Sequence, residues 1–436
     1  MKKRLFKDFC LIFLIIILPS INCAQDAGNK SYSLINTSHL DFLYEDIKLN
    51  GKSMAIIHIY SNYPEYKWVG DDDEGIACVD DAARAAFFYL KLYESRNNEE
   101  SLNKAKKLLD FILHMQADNG FFYNFIWDDL SINTTFKTSV AQADWWTWRA
   151  LWVLMEGYNI LKDEYPTLAG RLFSSVKKNI AAVKTNIPVK YETKIIDGFK
   201  RPAWLPYETA SDQTAILLLG LLPYYKAAND QEILDYINKL IEGILLMQEG
   251  DEKTFPYGAF LSWENLWHGW GNLQSYALLK ASTILNDDRI KIAALKEINN
   301  FYQYLYEIGF MNEFKIKREG DNIEGYDMKM FSQIAYIIRP IIFAYISAYE
   351  VMGDSVYAVK AGRLSTWFFG NNNARQQMYF SESGKCFDGI NDEDEINKNS
   401  GAESTIEALL SILAVENNSY AKNELLNYLN KKIETK

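Results

Sequence analysis

Acidic residues stand beside basic or aromatic residues at several points along this chain of 436 residues. One group has Asp80 and Asp81 ahead of Arg84, and another has Asp144 in front of a tryptophan-rich run. A carboxylic acid among apolar side chains has a raised pKa, because such surroundings disfavour the ionised form, and it can then donate a proton to a reacting group. The second group therefore indicates general acid–base chemistry. In the first, Asp80 and Arg84 are four residues apart, so we expect one Asp to pair with Arg84 and the other to enter a pocket.

Similar groups recur towards the carboxyl end of the chain. Glu208 and Asp212 lie four residues apart, which predicts that they share one face of a helix. Glu264 and His268 have the same spacing, and two neighbouring tryptophans repeat it. Each group alone is typical of a helix cap, but together they predict a functional pocket. The further members are Trp263, Trp267, Asp388 and Glu403.

On a carbohydrate substrate, two such carboxyl groups would act as the general acid and general base of a glycoside hydrolase. Inverting hydrolases need these groups roughly 6.5–9.5 Å apart, which the neighbours Asp80 and Asp81 do not easily provide. We expect Asp81 or Asp144 to face a carboxyl group from a later part of the chain. The catalytic candidates are Asp81, Asp144, Asp212, Glu264 and Glu403. The substrate-binding candidates are Asp80, Arg84, Trp145, Trp146, Arg149, Glu208, Trp263, Trp267, His268 and Asp388.

The elements that must position these residues are helices. Apolar residues recur at three- and four-residue spacing in about twelve stretches, and alternating strand patterns are scarce. The stretches fall into six pairs, which are 78–95 with 99–116, 139–161 with 167–186, 207–227 with 230–248, 263–285 with 288–308, 327–352 with 355–369, and 401–415 with 419–433.

The first helix of most pairs is apolar on all sides, as in 215–222 and 334–342, whereas its partner has one polar face. A helix that is apolar all round is buried all round. The first helices are therefore expected to form an inner ring and the second helices an outer ring, giving an all-α (α/α)6 toroid. The loops that enter the inner helices would then converge at one mouth. Gln333, Arg339 and Pro340 interrupt the apolar run 336–346, which favours a core helix over a membrane span.

Composition limits the partners of the protein. The formal net charge is −11, which argues against nucleic acid, because phosphate binding needs a basic face. Aromatic residues make up 14% of the chain, and their faces suit the apolar faces of sugar rings. No Cys/His cluster has zinc spacing, and the acidic runs 71–74 and 392–395 lack the spacing of a calcium loop. We expect an oligo- or polysaccharide substrate and no metal or organic cofactor.

The amino-terminal segment has the features of a targeting signal. A basic start precedes the apolar run 9–18, which is too short to span a bilayer. Cys23 follows directly and resembles a bacterial lipoprotein cleavage site. We expect residues 1–23 to be a signal peptide, Cys23 to become lipidated, and 24–436 to form one domain. The protein would then be exported as a cell-envelope lipoprotein, periplasmic or on the surface, with secretion after cleavage near Ala24 as the alternative.

Several motifs resemble those of a family of six-hairpin glycosidase-like proteins. They are Gly75-Ile-Ala-Cys-Val-Asp-Asp-Ala-Ala-Arg84, Ala143-Asp-Trp-Trp146 with Arg149-Ala-Leu-Trp152, Trp367-Phe-Phe-Gly-Asn371, Asp388-Gly-Ile390 and Asn399-Ser-Gly-Ala-Glu-Ser-Thr405. Similar signatures occur in domains attached to some bacterial glycosyltransferases and in free-standing exported proteins. The resemblance implies the (α/α)6 fold and activity on carbohydrate, and it assigns no catalytic residues. It also implies that Cys78 and Cys386 lie near each other at the mouth, whereas by themselves they would be buried small hydrophobes or, in an oxidising compartment, a pair.

Four other functions remain open on this fold. An unsaturated-uronide hydrolase would be favoured if Arg84, Arg149 or His268 reached a substrate carboxylate. A sugar epimerase of this shape relies on paired histidines, of which only His268 lies at the entrance to an inner helix. A polysaccharide lyase would need a Tyr, His or Lys base. A non-catalytic glycan-binding lipoprotein would have aromatic and amide groups without two carboxyl groups in one cavity.

Overall fold

The computed structural model describes residues 33–188 and 190–434. Residues 34–188 and 190–434 belong to one compact unit. The predicted signal peptide, 1–23, and the lipidation site, Cys23, lie outside the described residues, so both stay predictions.

Helices dominate the described residues. They are α1 (Ser38–Leu43), α2 (Val79–Arg96), α3 (Glu99–His114), α4 (Trp145–Leu161), α5 (Pro166–Asn186), α6 (Ser211–Ala228), α7 (Gln231–Leu245), α8 (Gln274–Leu285), α9 (Asp288–Lys296), α10 (Tyr302–Ile308), α11 (Ala335–Met352), α12 (Ser355–Ser365), α13 (Ala402–Glu416) and α14 (Ser419–Glu434). A π-helical turn, Glu297–Phe301, joins α9 to α10, and a 3₁₀ turn, Thr366–Phe368, follows α12.

Six helices form a closed inner ring. The order around the ring is α2, α4, α6, α8, α11 and α13, and α13 packs back against α2. Each is followed in sequence by an outer partner, α3, α5, α7, α9–α10, α12 or α14. The inner helices α4, α6 and α13 are buried along almost their whole length because they have no polar face to expose. The predicted all-α (α/α)6 toroid is confirmed.

Short antiparallel strands occupy the loops between the helices. They are β1 (Tyr44–Leu49), β2 (Lys52–Ile57), β3 (Tyr60–Asn62), β4 (Lys67–Val69), β5 (Ala77–Cys78), β6 (Phe125–Ile126), β7 (Thr193–Ile196), β8 (Phe199–Pro202), β9 (Gln248–Glu249), β10 (Ala259–Phe260), β11 (Leu266–His268), β12 (Glu313–Glu319), β13 (Asn322–Lys329), β14 (Tyr379–Phe380), β15 (Lys385–Cys386), β16 (Gly389–Asp392) and β17 (Glu395–Asn397). Strands β11, β12 and β13 form a three-stranded sheet, and the other strands pair in twos. In the longest two-stranded sheet, Tyr44 pairs with Ile57 and Leu49 with Lys52.

Several inner helices begin later than the sequence pattern predicted. The expected starts at 139, 207, 263 and 327 are wrong, because α4, α6, α8 and α11 begin at 145, 211, 274 and 335. Glu208 and Glu264 have φ angles of 66° and 52°, in the left-handed region that a right-handed helix excludes. The proposed helical faces shared by Glu208 with Asp212 and by Glu264 with His268 therefore do not exist, nor does the one shared by the tryptophans at 263 and 267.

Helix α11 is the one described helix that is long and apolar enough to cross a membrane. Its 18-residue window has a mean hydropathy of 1.2, but 72% of that window is buried inside the toroid. Such burial is typical of a core helix, which is how the sequence was interpreted.

Candidate active site

The amino ends of neighbouring inner helices carry the acidic residues of the candidate site. Asp80 and Asp81 lie in the first turn of α2, and Asp212 lies in the first turn of α6. Asp144 is the residue that caps α4. Carboxyl groups are favoured there because they accept hydrogen bonds from the free N–H groups of the first turn and face the positive end of the helix dipole.

A cavity of about 440 Å³ opens between the amino ends of α4 and α6. It brings together six residues that the sequence singled out, namely Asp144, Trp145, Trp146, Asp212, Trp263 and His268. It also contains residues that the sequence analysis missed, namely Thr138, Tyr207, Gln213 and Trp270. Aromatic side chains around a few polar groups are typical of a ligand site.

Asp144 is held by three hydrogen bonds. One carboxylate oxygen accepts the backbone N–H of Trp145 at 2.8 Å, and the other accepts the hydroxyl of Tyr207 at 2.6 Å and the amide of Gln142 at 3.2 Å. Burial raises the pKa of the Asp144 carboxyl more than these hydrogen bonds lower it, and the negative charge of Asp80 raises it further. A carboxyl group of this kind is suited to donate a proton.

Asp212 forms a buried pair with His268. One oxygen of Asp212 lies 2.8 Å from Nε2 of His268, and the other accepts the backbone N–H of Gln213 at 2.6 Å. The imidazole lies flat on the Trp270 ring, with 3.6 Å between ring centroids and 11° between planes. The Nδ1 atom of His268 is buried and has no hydrogen-bond partner among the described residues. The carboxylate and the stacked indole thus fix the orientation of the imidazole.

Arg84 forms the centre of an ion network beside the cavity. Its guanidinium group lies 3.1 Å from Asp80 and 2.8 Å from Asp81 on its own helix. It also lies 2.6 Å from Glu403 and 3.2 Å from Glu407, both on α13. The predicted pairing of Asp80 with Arg84 is therefore present, and Arg84 also joins the first inner helix to the last.

The network continues to α4 and α11. Arg149 on α4 pairs with Asp80 and donates a hydrogen bond to the hydroxyl of Tyr336 at 2.6 Å. Arg339 on α11 donates two hydrogen bonds to Glu407, at 2.5 and 3.0 Å. The three arginine side chains and Glu407 are almost fully buried, so each charge is compensated by protein groups instead of water.

The carboxyl groups of the network have different pKa values. Burial tends to raise the pKa of Asp80, but Arg149 and Arg84 outweigh it and leave that pKa below its ordinary value. Burial raises the pKa of Asp81 in spite of Arg84. Burial also raises the pKa of Glu403 to about 7, although Arg84 opposes the shift. Among the described residues that line the 440 Å³ cavity, none is Asp81 or Glu403, so these two catalytic candidates lie outside it.

The remaining candidates also lie away from the cavity lining. Glu208 and Glu264 are at the rim, where Lys194 lies 2.5 Å from Glu208 and 3.8 Å from Glu264. Trp267 is buried in the core between Phe301 and Phe314 and does not stack on a ligand.

Asp388 supports the start of α13. Its carboxyl group accepts the N–H of Gly401 at 2.8 Å and the hydroxyl of Ser404 at 2.6 Å. Burial raises its pKa, and these two hydrogen bonds oppose the shift. Its position is that of a residue that orients a loop.

Cys78 and Cys386 are both buried free thiols. The Sγ atom of Cys78 accepts the N–H of Asp81 at 3.3 Å and so caps α2. In the described ranges, no group of three or more His, Cys, Asp or Glu residues is arranged to hold a metal ion.

Several solved structures resemble this protein in fold, although their sequences are only 11–14% identical to it. No protein-family model and no curated protein matches the sequence. A cellobiose 2-epimerase from Bacillus thermoamylovorans superposes with a TM-score of 0.59 and 11% identity over 86% of this chain and 95% of its own. A sugar epimerase from a ruminal bacterium gives 0.55 and 14% over 83% and 92%. A family 76 glycoside hydrolase from a bovine Bacteroides thetaiotaomicron strain gives 0.54 and 13% over 89% and 80%. The chain therefore has the six-hairpin (α/α)6 glycosidase-like fold, as the motifs in its sequence predicted.

Proposed function

We propose that the protein hydrolyses glycosidic bonds in the 440 Å³ cavity. The observation that carries the proposal is that two carboxyl groups, Asp144 and Asp212, line one cavity together with four tryptophans. The axes of packed helices are roughly 8–10 Å apart, so carboxyl groups at the amino ends of α4 and α6 would have a similar separation. This spacing fits the roughly 6.5–9.5 Å between the carboxyl groups of inverting glycosidases.

Asp144 is the proposed general acid. Its raised pKa keeps a proton on the carboxyl group at a higher pH than an ordinary aspartate would, so it can protonate the oxygen of the leaving group. The adjacent rings of Trp145 and Trp146 supply both the desolvation and a surface for a sugar ring.

The Asp212–His268 pair is the proposed base. The carboxylate holds the imidazole through Nε2 at 2.8 Å, and the pair together accepts a proton from water. Asp212 lies at the amino end of α6, His268 lies in β11, and Asp144 caps α4, so the two proton-transfer groups approach a bound sugar from different elements.

The proposed substrate is uncharged. Arg84, Arg149 and His268, which would recognise a uronide, are already paired with carboxylates, and the described residues that line the cavity include no Lys or Arg. A substrate carboxylate would meet Asp144 and Asp212 without a compensating cation. The unsaturated-uronide hydrolase is therefore the less favoured form of the proposal.

The test compares two kinds of leaving group. Wild type, Asp144→Asn, Asp212→Asn and His268→Asn would be assayed on neutral manno- and cello-oligosaccharides and on the matching nitrophenyl glycosides, with exposed Asp163→Asn as the matched control. Loss of a general acid or base lowers kcat by about 10²–10⁴. A nitrophenolate needs little protonation, so Asp144→Asn should keep most activity on the nitrophenyl substrate, whereas Asp212→Asn should lose it on both. Full activity of all three variants on both substrates would refute the proposal.

Sugar epimerisation is a second candidate because of one observation. A cavity histidine that is hydrogen-bonded to a carboxylate is the arrangement that proton abstraction requires, and His268 has it. The same assay separates the two functions by product mass. Hydrolysis yields shorter sugars and new reducing ends, whereas epimerisation yields an isomer of unchanged mass.

We also propose that the protein is exported and lipid-anchored through Cys23. The basic start, the short apolar run and the cysteine that follows it support this proposal. Membrane fractionation of wild type and Cys23→Ser provides the test. Equal recovery of both proteins in the soluble fraction would contradict the lipid anchor.

A further inference from the structure

A second cavity, of about 660 Å³, adjoins the cavity described above. Tyr207 lines both cavities, and the chain passes from one to the other at Asp144, since Gln142 and Ala143 line the larger cavity and Asp144 and Trp145 line the smaller. The proposed general acid therefore stands at the boundary between two spaces.

Tyr207 forms the partition. Its hydroxyl donates to Asp144 at 2.6 Å, and its carbonyl oxygen accepts the indole N–H of Trp263 at 3.3 Å. Its φ angle of 46° is in the left-handed region, and 53% of the residue is exposed. Tyr207 thus bonds the proposed general acid and lines the space on either side of it.

The larger cavity differs in chemistry from the smaller. It contains the amides of Asn119, Gln142 and Asn186, the charged side chains of Lys190, Glu192 and Glu208, and the Trp204 ring. Amide and charged groups beside an aromatic surface can bond the hydroxyl groups of a sugar and pack against its ring. Its volume lies within the roughly 300–1,000 Å³ of typical ligand pockets.

We propose that the 660 Å³ cavity binds the leaving group of the substrate, a neutral oligosaccharide chain, while the 440 Å³ cavity binds the sugar whose anomeric bond breaks. This inference rests on the proposed hydrolysis. Asp144 gives its proton to the glycosidic oxygen, and the bond from that oxygen to the anomeric carbon breaks. The oxygen of a water molecule bonds to the anomeric carbon, and the proton of that water passes to the Asp212–His268 pair. The chain released into the larger cavity thus ends in a hydroxyl group.

The test fills the larger cavity without changing the smaller one. Asn186 lies at the exposed end of α5 and lines the 660 Å³ cavity, whereas its exposed neighbour Thr185 does not line it. Asn186→Trp is the variant, and Thr185→Trp is its matched control. KM would be measured for manno- and cello-oligosaccharides of increasing length and for a nitrophenyl monoglycoside, whose leaving group is too small to need the larger cavity.

We expect Asn186→Trp to raise KM for the longer oligosaccharides about tenfold, which corresponds to about 1.4 kcal/mol of binding. Cleavage of the nitrophenyl glycoside and the melting temperature should match wild type, and Thr185→Trp should match wild type throughout. Equal KM values for wild type and Asn186→Trp on long oligosaccharides, with cleavage intact, would overturn the inference.

Binding gives a readout that does not require turnover. Calorimetry with the same oligosaccharides on the Asp144→Asn protein should show affinity that rises with chain length and falls about tenfold when Asn186→Trp is added. If wild type cleaves nothing in the panel, the proposed hydrolysis fails, whereas affinity that is independent of length or unchanged by Asn186→Trp refutes the second site alone.

Discussion

Removal of the Glu407 charge tests the ion network that joins the inner helices. In Glu407→Met, Arg339 loses both of its hydrogen bonds to a carboxylate and remains buried. Arg84 keeps Asp80, Asp81 and Glu403 as partners. The cost therefore comes mainly from one uncompensated guanidinium group.

Breaking a buried ion pair from one side costs about 3–5 kcal/mol, because the remaining charge has lost its partner. The entropy of unfolding is about 2.1 cal/mol/K per residue, or roughly 0.8 kcal/mol/K for a unit of this length. The melting temperature of Glu407→Met should therefore fall by about 4–6 °C. Calorimetry at a single scan rate measures the shift.

Two further variants show whether the charge or the packing is responsible. Arg339→Met with Glu407→Met removes both charges and refills the space with apolar atoms, so it should recover most of the loss. Glu242→Gln breaks the exposed pair with Arg289, at 2.7 Å, and should cost less than about 1 kcal/mol. The reasoning would be refuted if Glu407→Met had the melting temperature of wild type, or if the double variant had a lower melting temperature than Glu407→Met.

Three other predictions concern single hydrogen bonds or backbone positions. In Tyr207→Phe the Asp144 carboxylate loses a hydrogen-bond donor, so the pKa of Asp144 rises. The alkaline limb of the pH–rate profile should then move to higher pH. An unmoved limb would mean that another group is the general acid. Burial raises the pKa of Glu297 from its ordinary 4.5 to about 7, although hydrogen bonds oppose the shift. Wild type should therefore lose stability relative to Glu297→Gln as the pH rises from 4.5 to about 7. Urea unfolding at several pH values measures this difference. At Gly75, with φ 103°, a Cβ would lie 2.1 Å from a backbone oxygen of β6, so Gly75→Ala should cost at least about 1–3 kcal/mol of backbone strain in the free energy of unfolding. Gly51→Ala, with φ 77° and nothing within 4 Å, is its control and should cost less.

Periodicity was sufficient to predict the six hairpins and the helix ends that carry the candidate site. A buried helix without a polar face is distinctive in sequence, and acids ahead of it mark its amino end. The placement of Asp144 in a tryptophan-walled cavity follows from that local pattern.

Helical periodicity could not predict the positions of residues in the loops that lead into the inner helices. The segment around Trp267 was interpreted with helical spacing, but it is strand β11, in which successive side chains point to opposite faces. Trp267 therefore packs in the core while the next residue, His268, lines the cavity. Nothing in the sequence indicated that Tyr207 lines the cavity, because its position depends on a left-handed backbone angle that the neighbouring residues do not specify.

Contacts between residues far apart in the sequence could not be predicted either. Arg84 and Glu403 are separated by 319 residues, and the sequence around either residue does not indicate that the two form an ion pair. The acidic start of α2 was correctly paired with Arg84, but the buried Glu407 and Arg339 were not recognised as members of the same network.

The closure of the ring by α13 has a consequence for biosynthesis. Arg84 leaves the ribosome with the first hairpin, whereas Glu403 and Glu407 leave it with the last, so the guanidinium group lacks its α13 carboxylates until translation is nearly finished. Contacts between residues so far apart in sequence form slowly, because a long loop must close before they give any stabilisation. The ring can therefore close only once α13 has been synthesised.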